Sequence, residues 1–350
     1  MKPKLKLLSY IFIIILVVAC EKKSGRFEII NNINNPDLEQ IHTKLIRSIP
    51  LQFDEEDFTS WTVADEKVYF CNMMQHKITI LDFDGNLIKM IDATGKGPGE
   101  LILPYPIIYD EKNSCIGVFD VGNLRYSYFT YKGDYIKDKM QVSKTPTIPF
   151  ALKAFGQFTL ACNIRMQVKN GKMEKYYTLQ IVKPDTSIVL FEVEEDFSKV
   201  PKFTCNNEYV YSSSISTDEY RIDVYNANGK KVKEIRKEFQ QIKIPHDEIV
   251  RIKKDTKDKK GYKIPKFYNA IYDLHIDIRG NLWVGTFNNE GKAYYDIIDQ
   301  KGKVIKQYKP PKDFITLKIF YSLRLYNDKL IEIIKNPDDT YSMNIYKINI

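Results

Sequence analysis

Val68–Glu100 reads VYFCNMMQHKITILDFDGNLIKMIDATGKGPGE, and its punctuation decides the fold. Two apolar runs, Lys77–Phe83 and Leu87–Ile91, flank Asp84-Gly85-Asn86. An Asp-Gly step between alternating hydrophobic segments marks a β-hairpin. A third run, Val68–Cys71, precedes them, so the stretch reads as a small antiparallel meander ended by a loop too rich in glycine to continue as a strand. One such meander cannot bury its own faces, so a soluble chain built this way must repeat it.

The repeats are present. A second unit runs through Ile116–Asp120, Arg125–Tyr131, the turn Lys132-Gly133-Asp134 and Tyr135–Val142. A third is Phe158–Cys162, Tyr176–Val182, a Pro184-Asp185 turn and Ser187–Val193, and a fourth is Glu208–Ser212, Tyr220–Tyr225, Asn228-Gly229 and Lys231–Phe239. A fifth is Leu274–Asp277, Asn281–Thr286, Ala293–Ile298, Lys301-Gly302 and Val304–Tyr308. The last, Phe320–Tyr326, Lys329–Ile334 and Ser342–Ile348, stops one strand short. Turn-to-turn spacings are 48 residues from Gly85 to Gly133, 52 to Asp185, 44 to Gly229 and 73 to Gly302 across an insertion. A period of ~40–50 residues with four strands per unit predicts propeller blades. Thr43–Phe53 alternates as an unpartnered strand, and it complements the short last repeat. Pairing the two closes a ring of six blades and removes every unprotected edge. Two β-sandwiches would explain neither the period nor the complementary ends. Only His246–Lys254 suggests a helix, of a turn or two.

The N-terminus has a separate logic. Lys2, Lys4 and Lys6 precede a 13-residue apolar run, Leu7–Ala19, the size of a signal-peptide core and short of the ~20 residues a spanning helix needs. Residues 1–19 therefore read as a signal peptide and residues 20–42 as a processed N-terminus and polar tether. Loss of those three lysines lowers the formal charge from +8 to +5. His246–Asn269 alone carries eight Lys/Arg and four Asp/Glu, so the excess charge sits in a basic insertion at residues 243–269. A nucleic-acid binder needs a wider basic footprint, and no nucleic-acid partner is expected. An aromatic share of 13% fits pleated, half-buried surfaces and favours sheet. Cys71, Cys115, Cys162 and Cys205 lie 44, 47 and 43 residues apart without a Cys-x-x-Cys pair, which favours buried thiols in successive repeats over a zinc site.

Several motifs resemble known families. Val17-Val18-Ala19-Cys20 resembles the lipobox of bacterial lipoproteins, which makes Cys20 the lipid anchor. Gly95-Lys96-Gly97-Pro98-Gly99-Glu100, followed by Pro104, resembles the connector of six-bladed, NHL-like β-propeller lipoproteins common in Bacteroidota. Asp120-x-x-Asn123-x-Arg125 is similar to the NHL strand signature, with Tyr126 in place of its isoleucine. Asp277-x-x-Gly280-Asn281-Leu282-Trp283-Val284-Gly285-Thr286 is similar to a regulator-type propeller repeat. The resemblance covers residues 43–350 and implies an all-β six-bladed propeller in the cell envelope, lipid-anchored at the outer membrane. It implies no common reaction, because propellers host binding modules, lyases, lactonases and scaffolds alike.

In such a propeller the second-to-third-strand loops and the blade connectors share one face. That face would carry His76, Asp120, Asn123, Arg125, Asp218, Asn288, Asn289 and Glu290, a set suited to a polar ligand. Asp and Asn also bond their own turns, which is the competing reading for Asp120–Arg125. Asp273, His275 and Asp277 alternate on an innermost strand and are candidates for the central channel, as a hard-metal or acid–base set. One strand supplies only one corner of a site, so no metal or cofactor is assigned. No Gly-x-Ser-x-Gly elbow, P-loop or dinucleotide fingerprint occurs. Trp61 and Trp283 read as core or as sugar-stacking platforms, and Ser212–Ser214 as polar loop. The expected function is a non-catalytic module for a glycan, peptide or envelope-protein partner. The alternative is a metal-dependent lactonase- or lyase-like enzyme, and a sensor subunit is a third reading resting on the Trp283 motif alone. On the anchor reading, a Cys20→Ala variant leaves the membrane fraction and stays folded; fractionation that finds it still membrane-bound refutes the assignment.

Overall fold

Exposure falls and rises across each repeat in the way a stack of radial sheets requires. Second strands are buried on both faces: every residue of Cys115–Asp120 and of Leu282–Phe287 is buried. Outer strands are open, as at Leu87–Ile91, where only Ile91 is buried. The computed structural model describes residues 38–51, 59–140, 148–169, 172–183, 185–194, 201–255, 265–310, 323–336, 338 and 340–349. The signal peptide, Cys20, most of the tether, Gln52–Phe53 and the middle of the insertion lie outside these residues.

Six sheets result, each antiparallel between consecutive strands. Blade one is β3 (Ser60–Ala64), β4 (Lys67–Asn72), β5 (Lys77–Asp82) and β6 (Leu87–Ile91). Blade two is β7 (Pro104–Asp110), β8 (Cys115–Asp120), β9 (Arg125–Thr130) and β10 (Tyr135–Met140). Blade three is β11 (Ile148–Phe155), β12 (Phe158–Lys169), β13 (Lys172–Val182) and β14 (Ser187–Glu194). Blade four is β15 (Phe203–Cys205), β16 (Tyr209–Ser213), β17 (Tyr220–Asn226) and β18 (Lys231–Lys237). Blade five is β19 (Asp273–Ile276), β20 (Leu282–Phe287), β21 (Ala293–Ile298) and β22 (Val304–Tyr308). Blade six takes β23 (Arg324–Tyr326), β24 (Lys329–Lys335) and β25 (Tyr341–Ile348) from the C-terminus, and its outer strand β2 (Thr43–Leu51) from the N-terminus.

The closure expected from the complementary ends is the observed one, in a register from Thr43 opposite Ile348 to Leu51 opposite Tyr341. Each of the six interfaces between neighbouring blades holds its own apolar cluster. At the closing joint Ile49 and Leu51 of β2 pack with Trp61, Val63 and Phe70 of blade one.

Two departures from the sequence reading concern the edges. The tether does not reach residue 42: β1 (Gln40–Ile41) runs parallel to β22 as a fifth strand of blade five, and Ile41 is buried beside Trp283. Two residues carry too little pattern to be read as a strand. The basic insertion is not solvated throughout. Its stems bond to each other, Ile244 N to Lys266 O at 3.0 Å and Tyr268 N to Ile242 O at 2.9 Å, and the Tyr268 ring stacks on Phe287 with centroids 4.0 Å apart. Between the stems lies α1 (His246–Asp255), longer than the one or two turns expected. The four cysteines among the described residues are free; Cys71, Cys115 and Cys162 sit in second strands and Cys205 in an inner strand.

The Asp-Gly turn that announced the fold also seals it. Gly85 has φ +85°, which a side chain disfavours, and a Cβ there would meet Ile49 Cγ2 of β2 at 2.5 Å. Ile49→Ala is expected to cost about 2–4 kcal/mol, and Gly85→Ala to be destabilising through both strain and overlap. Unfolding curves in which either variant matches wild type would refute this account of the joint.

Candidate functional site

The rim residues are placed by the connector. Asp120 is fully buried, and its carboxylate accepts from Ile102 N at 3.1 Å, Leu103 N at 2.8 Å, Gly122 N at 3.2 Å and Asn123 Nδ2 at 2.6 Å. Asn123 Nδ2 also reaches Gly95 O at 2.9 Å. The Arg125 guanidinium donates to Lys96 O, Gly97 O and Glu100 O at 3.0, 2.6 and 2.8 Å, and pairs with Asp138 at 3.0 Å. His76, in a left-handed conformation, places Nδ1 against Ile102 O. These four candidates converge on the segment from Gly95 to Leu103, which carries the chain from blade one to blade two. A guanidinium is suited to this because its planar fork can serve several carbonyls at once.

Asp277 plays the corresponding part in blade five. Its carboxylate accepts from Arg279 N and Asn281 N, both at 2.9 Å, from Asn281 Nδ2 at 3.0 Å and from Trp283 Nε1 at 3.1 Å. The structure therefore separates Asp277 from Asp273 and His275, which do meet: His275 Nε2 lies 2.7 Å from Asp273 Oδ2, and Tyr295 OH donates to the same oxygen at 3.0 Å. Burial would raise the Asp273 carboxyl, but His275, Lys202 and Tyr295 hold it well below the carboxylate range. Burial, reinforced by Lys153 and Arg324 and opposed by Asp273, pulls His275 below the usual histidine value.

Strand register shows why those cations are near. Thr62, Lys153, Thr204 and Arg324 lie opposite Tyr69, Leu160, Tyr211 and Ile331, each seven positions later, and His275 lies opposite Trp283, eight later. These inner-strand residues thus hold matching register positions in five of the six blades. Lys202 and Asp273 lie two residues further along the same face of blades four and five. The Lys153 ammonium reaches Thr204 Oγ1 in blade four at 3.4 Å, and Arg324 reaches Trp61 O in blade one at 3.1 Å with its guanidinium 4.5 Å from the Trp61 ring centroid. Burial lowers both lysines, and it brings Arg324 down to about 10 despite Asp273. Among the described residues, no three His, Cys, Asp or Glu side chains are arranged to hold a metal ion.

Asp218, Asn288 and Asn289 come together elsewhere, at a groove of about 1050 Å³ between blades four and five. Glu290 stays outside it, exposed and paired with Lys292 at 2.7 Å. The groove is also lined by Gln40, Arg236, Phe239 and Tyr294. Beneath it, fully buried Asp296 accepts from Lys237 Nζ at 2.9 Å, Tyr220 OH at 3.2 Å and Gln307 Nε2 at 2.9 Å. Lys237 also reaches Tyr294 OH at 3.2 Å. Burial alone would lower Lys237, but Asp296 and Tyr294 raise it, which favours its ammonium form. Trp61 and Trp283 are core residues, 3% and 0% exposed, and Ser212 and Ser213 are buried.

Lys153, Lys202, Arg324 and the Lys237–Asp296 pair were not singled out from the sequence. Strands β11 and β15 carry little alternation, and the available signal was positional: Lys153 and Arg324 each precede a tight turn by the same offset. The groove residues on β18 and β21 meet only through blade packing, which no local pattern encodes.

Residues 21–332 match the family DUF5128, described as a 6-bladed beta-propeller. No curated protein sequence matches the chain. Among solved structures, a candidate exported protein from Bacteroides fragilis superposes with TM-score 0.53 at 12% identity, covering 92% of this chain and 100% of that one. Virginiamycin B lyase from Staphylococcus aureus gives TM-score 0.47 at 11% identity over 87% and 99% of the two chains. A DUF4221-family member from Bacteroides vulgatus gives 0.47 at 15% over 89% and 99%. At these identities the likeness is one of fold.

If Arg125 fastens the connector, Arg125→Ala strips the half-buried Asp138 carboxylate and three carbonyls of their partner and costs about 3 kcal/mol. Thermal unfolding distinguishes this from a ligand-facing arginine, whose removal would leave the melting temperature unchanged.

Proposed function

The chain belongs to the DUF5128 family of six-bladed β-propellers, and we propose that this member is a non-catalytic envelope module that holds a neutral glycan between blades four and five. The Asp296-centred network under the groove carries the reading. It is a satisfied, buried set of polar groups that fixes the aromatic and amide walls in place before any ligand arrives. Planar amides and carboxylates such as Gln40, Asn289 and Asp218 suit vicinal hydroxyls, and half-buried rings such as Phe239 suit the apolar face of a sugar. A volume of about 1050 Å³ exceeds what one small ligand fills and accommodates several pyranose units.

The lipobox-like Cys20 supplies the anchor in this reading, and residues after it the tether. Gln40, just beyond the tether, lines the groove itself, so the bound glycan sits on the flank of the propeller where the membrane-attached segment joins it. Among the described residues no helix is long and apolar enough to cross a membrane, and lipid attachment at Cys20 is the means of retention in this reading.

Calorimetric titration of the protein with α-glucan, β-glucan and mannan oligosaccharides tests the proposal. At least one should bind, and Phe239→Ala and Asn289→Ala should each weaken it by about tenfold, the ~1.4 kcal/mol of a central contact, with the melting temperature unchanged for Asn289→Ala and lowered for Phe239→Ala, which also packs on two apolar clusters. Lack of binding to all three classes, or binding indifferent to both substitutions, refutes it.

A further inference from the structure

The outer strands carry the same irregularity in all six blades, and three of them use it differently. Each has one bulge residue, skipped in its register with the third strand: Ile88, Ile136, Leu190, Val232, Ile305 and, on β2, Ile46. In blades three, four and five that residue is half-buried and packs on the cluster between neighbouring blades. In blades six, one and two it is an isoleucine left 50%, 45% and 44% exposed, and the residue before it, Leu45, Leu87 or Tyr135, is exposed as well. Of this pair blade three exposes only Val189. The fold does not require the apolar choice, because blade four places Lys231 before its bulge and blade five buries Val304. A bulge with a charge beside it already protects an edge strand. The three exposed pairs lie side by side: Arg47 of β2 pairs with Asp84 in the turn leading into β6, and Lys89 of β6 with Asp134, at 2.7 Å, in the turn leading into β10. Lys44, Lys137 and Lys139 are exposed on the same strands, whose one acid, Asp138, is held by Arg125. A contiguous apolar face of this kind marks a surface that is covered in use.

The entry of the chain says what covers it. From Leu38 the chain pairs through β1 with blade five and passes after His42 straight into β2, the first strand of this arc. Only 17 residues, Glu21–Asp37, separate that entry from Cys20, a reach of at most about 60 Å. A body held so closely meets the bilayer with the flank where its tether enters. We propose that the outer edges of blades six, one and two form a membrane-docking face, which lays the anchored propeller on its side against the bilayer surface. The aliphatic pairs enter the boundary between headgroups and acyl chains, Tyr135 takes the interfacial position that suits its ring and hydroxyl, and the three lysines reach anionic headgroups. The choice of a bilayer as occupant rests on the Cys20 anchor of the preceding reading. The face is too small to retain the chain alone, and it orients a body that the lipid already holds. The groove between blades four and five lies outside the arc and stays open to its ligand.

The chain from Glu21 onward retains every strand of the ring and lacks Cys20, so its binding to vesicles reports this face whether or not that cysteine is lipidated. Sedimentation with vesicles of phosphatidylethanolamine and phosphatidylglycerol, at millimolar lipid and low salt, should show measurable, reversible binding. Ile46→Ser, Ile88→Ser and Ile136→Ser, combined in one variant, should weaken it by about tenfold or more. These isoleucines belong to none of the apolar clusters, so the melting temperature of the triple variant should change little. Lys44→Glu and Lys137→Glu leave the apolar pairs in place and should each weaken binding by about fivefold or more. Val250→Ser, which removes an exposed apolar side chain from α1, serves as a control and should leave binding intact. Three results overturn the proposal: no binding at millimolar lipid, binding that neither the triple variant nor the charge reversals weaken, or a self-association abolished in the triple variant without vesicle binding, which assigns the face to a second copy of the chain.

Discussion

The antiparallel seam between Thr43–Leu51 and Tyr341–Ile348 is the contact on which the other blades depend. Five interfaces join blades that are consecutive in sequence, and the sixth joins the two ends of the chain. Without β2, blade six would offer β25 as an open edge, and Trp61, Val63 and Phe70 would lose part of their cover. The seam repeats a joint used elsewhere. Just as Gly85 lies against Ile49, Gly133 of blade two lies against Ile80 of blade one, and Gly229 of blade four against Ile188 of blade three. In each case a third-to-fourth-strand turn, left bare of a side chain, presses on an isoleucine of the preceding blade. Closure therefore uses the same local geometry as propagation, applied across the greatest sequence distance in the molecule.

The same economy explains the polar motifs. Asp120, Asn123 and Arg125 serve the connector between blades one and two, and Asp277 with Asn281 and Trp283 serves the turn of blade five. Asp82 does likewise in blade one, accepting from Asp84 N and Asn86 N, both at 2.8 Å. A buried carboxylate that accepts several main-chain donors costs little to bury and fixes a turn firmly. Such residues recur because blades recur, and their types coincide with those of ligand sites.

This sets what was legible. Hairpins with Asp-Gly, Lys-Gly or Asn-Gly turns, the six-fold repeat and the closing strand could be read from the chain, since each rests on local alternation or on matching ends. Inner strands β7, β11 and β15 could not, because they are short or lie near the axis, where neither a solvent face nor a uniform core imposes a two-residue period. Of the rim set, Asp218, Asn288 and Asn289 reach the groove, whereas Asp120, Asn123, Arg125 and His76 are drawn to the connector. What distinguishes the two groups is the partner available across the blade interface, and that depends on packing rather than on neighbours in sequence. Lys153 and Lys202 look in sequence like ordinary surface lysines; only register places them on one face.

Groove and channel then differ in how their charge is balanced. Under the groove, Lys237 pairs with Asp296, and the pair is completed by Tyr220 and Gln307. On the inner strands, Asp273 already serves His275 and Tyr295, while the Lys153 ammonium meets the Thr204 hydroxyl at 3.4 Å. A residue conforming to the repeat is constrained by the joint between blades. Lys153, Lys202 and Arg324 differ in type from Thr62 and Thr204 on the same face of the same kind of strand, and closure of the ring requires no cation there.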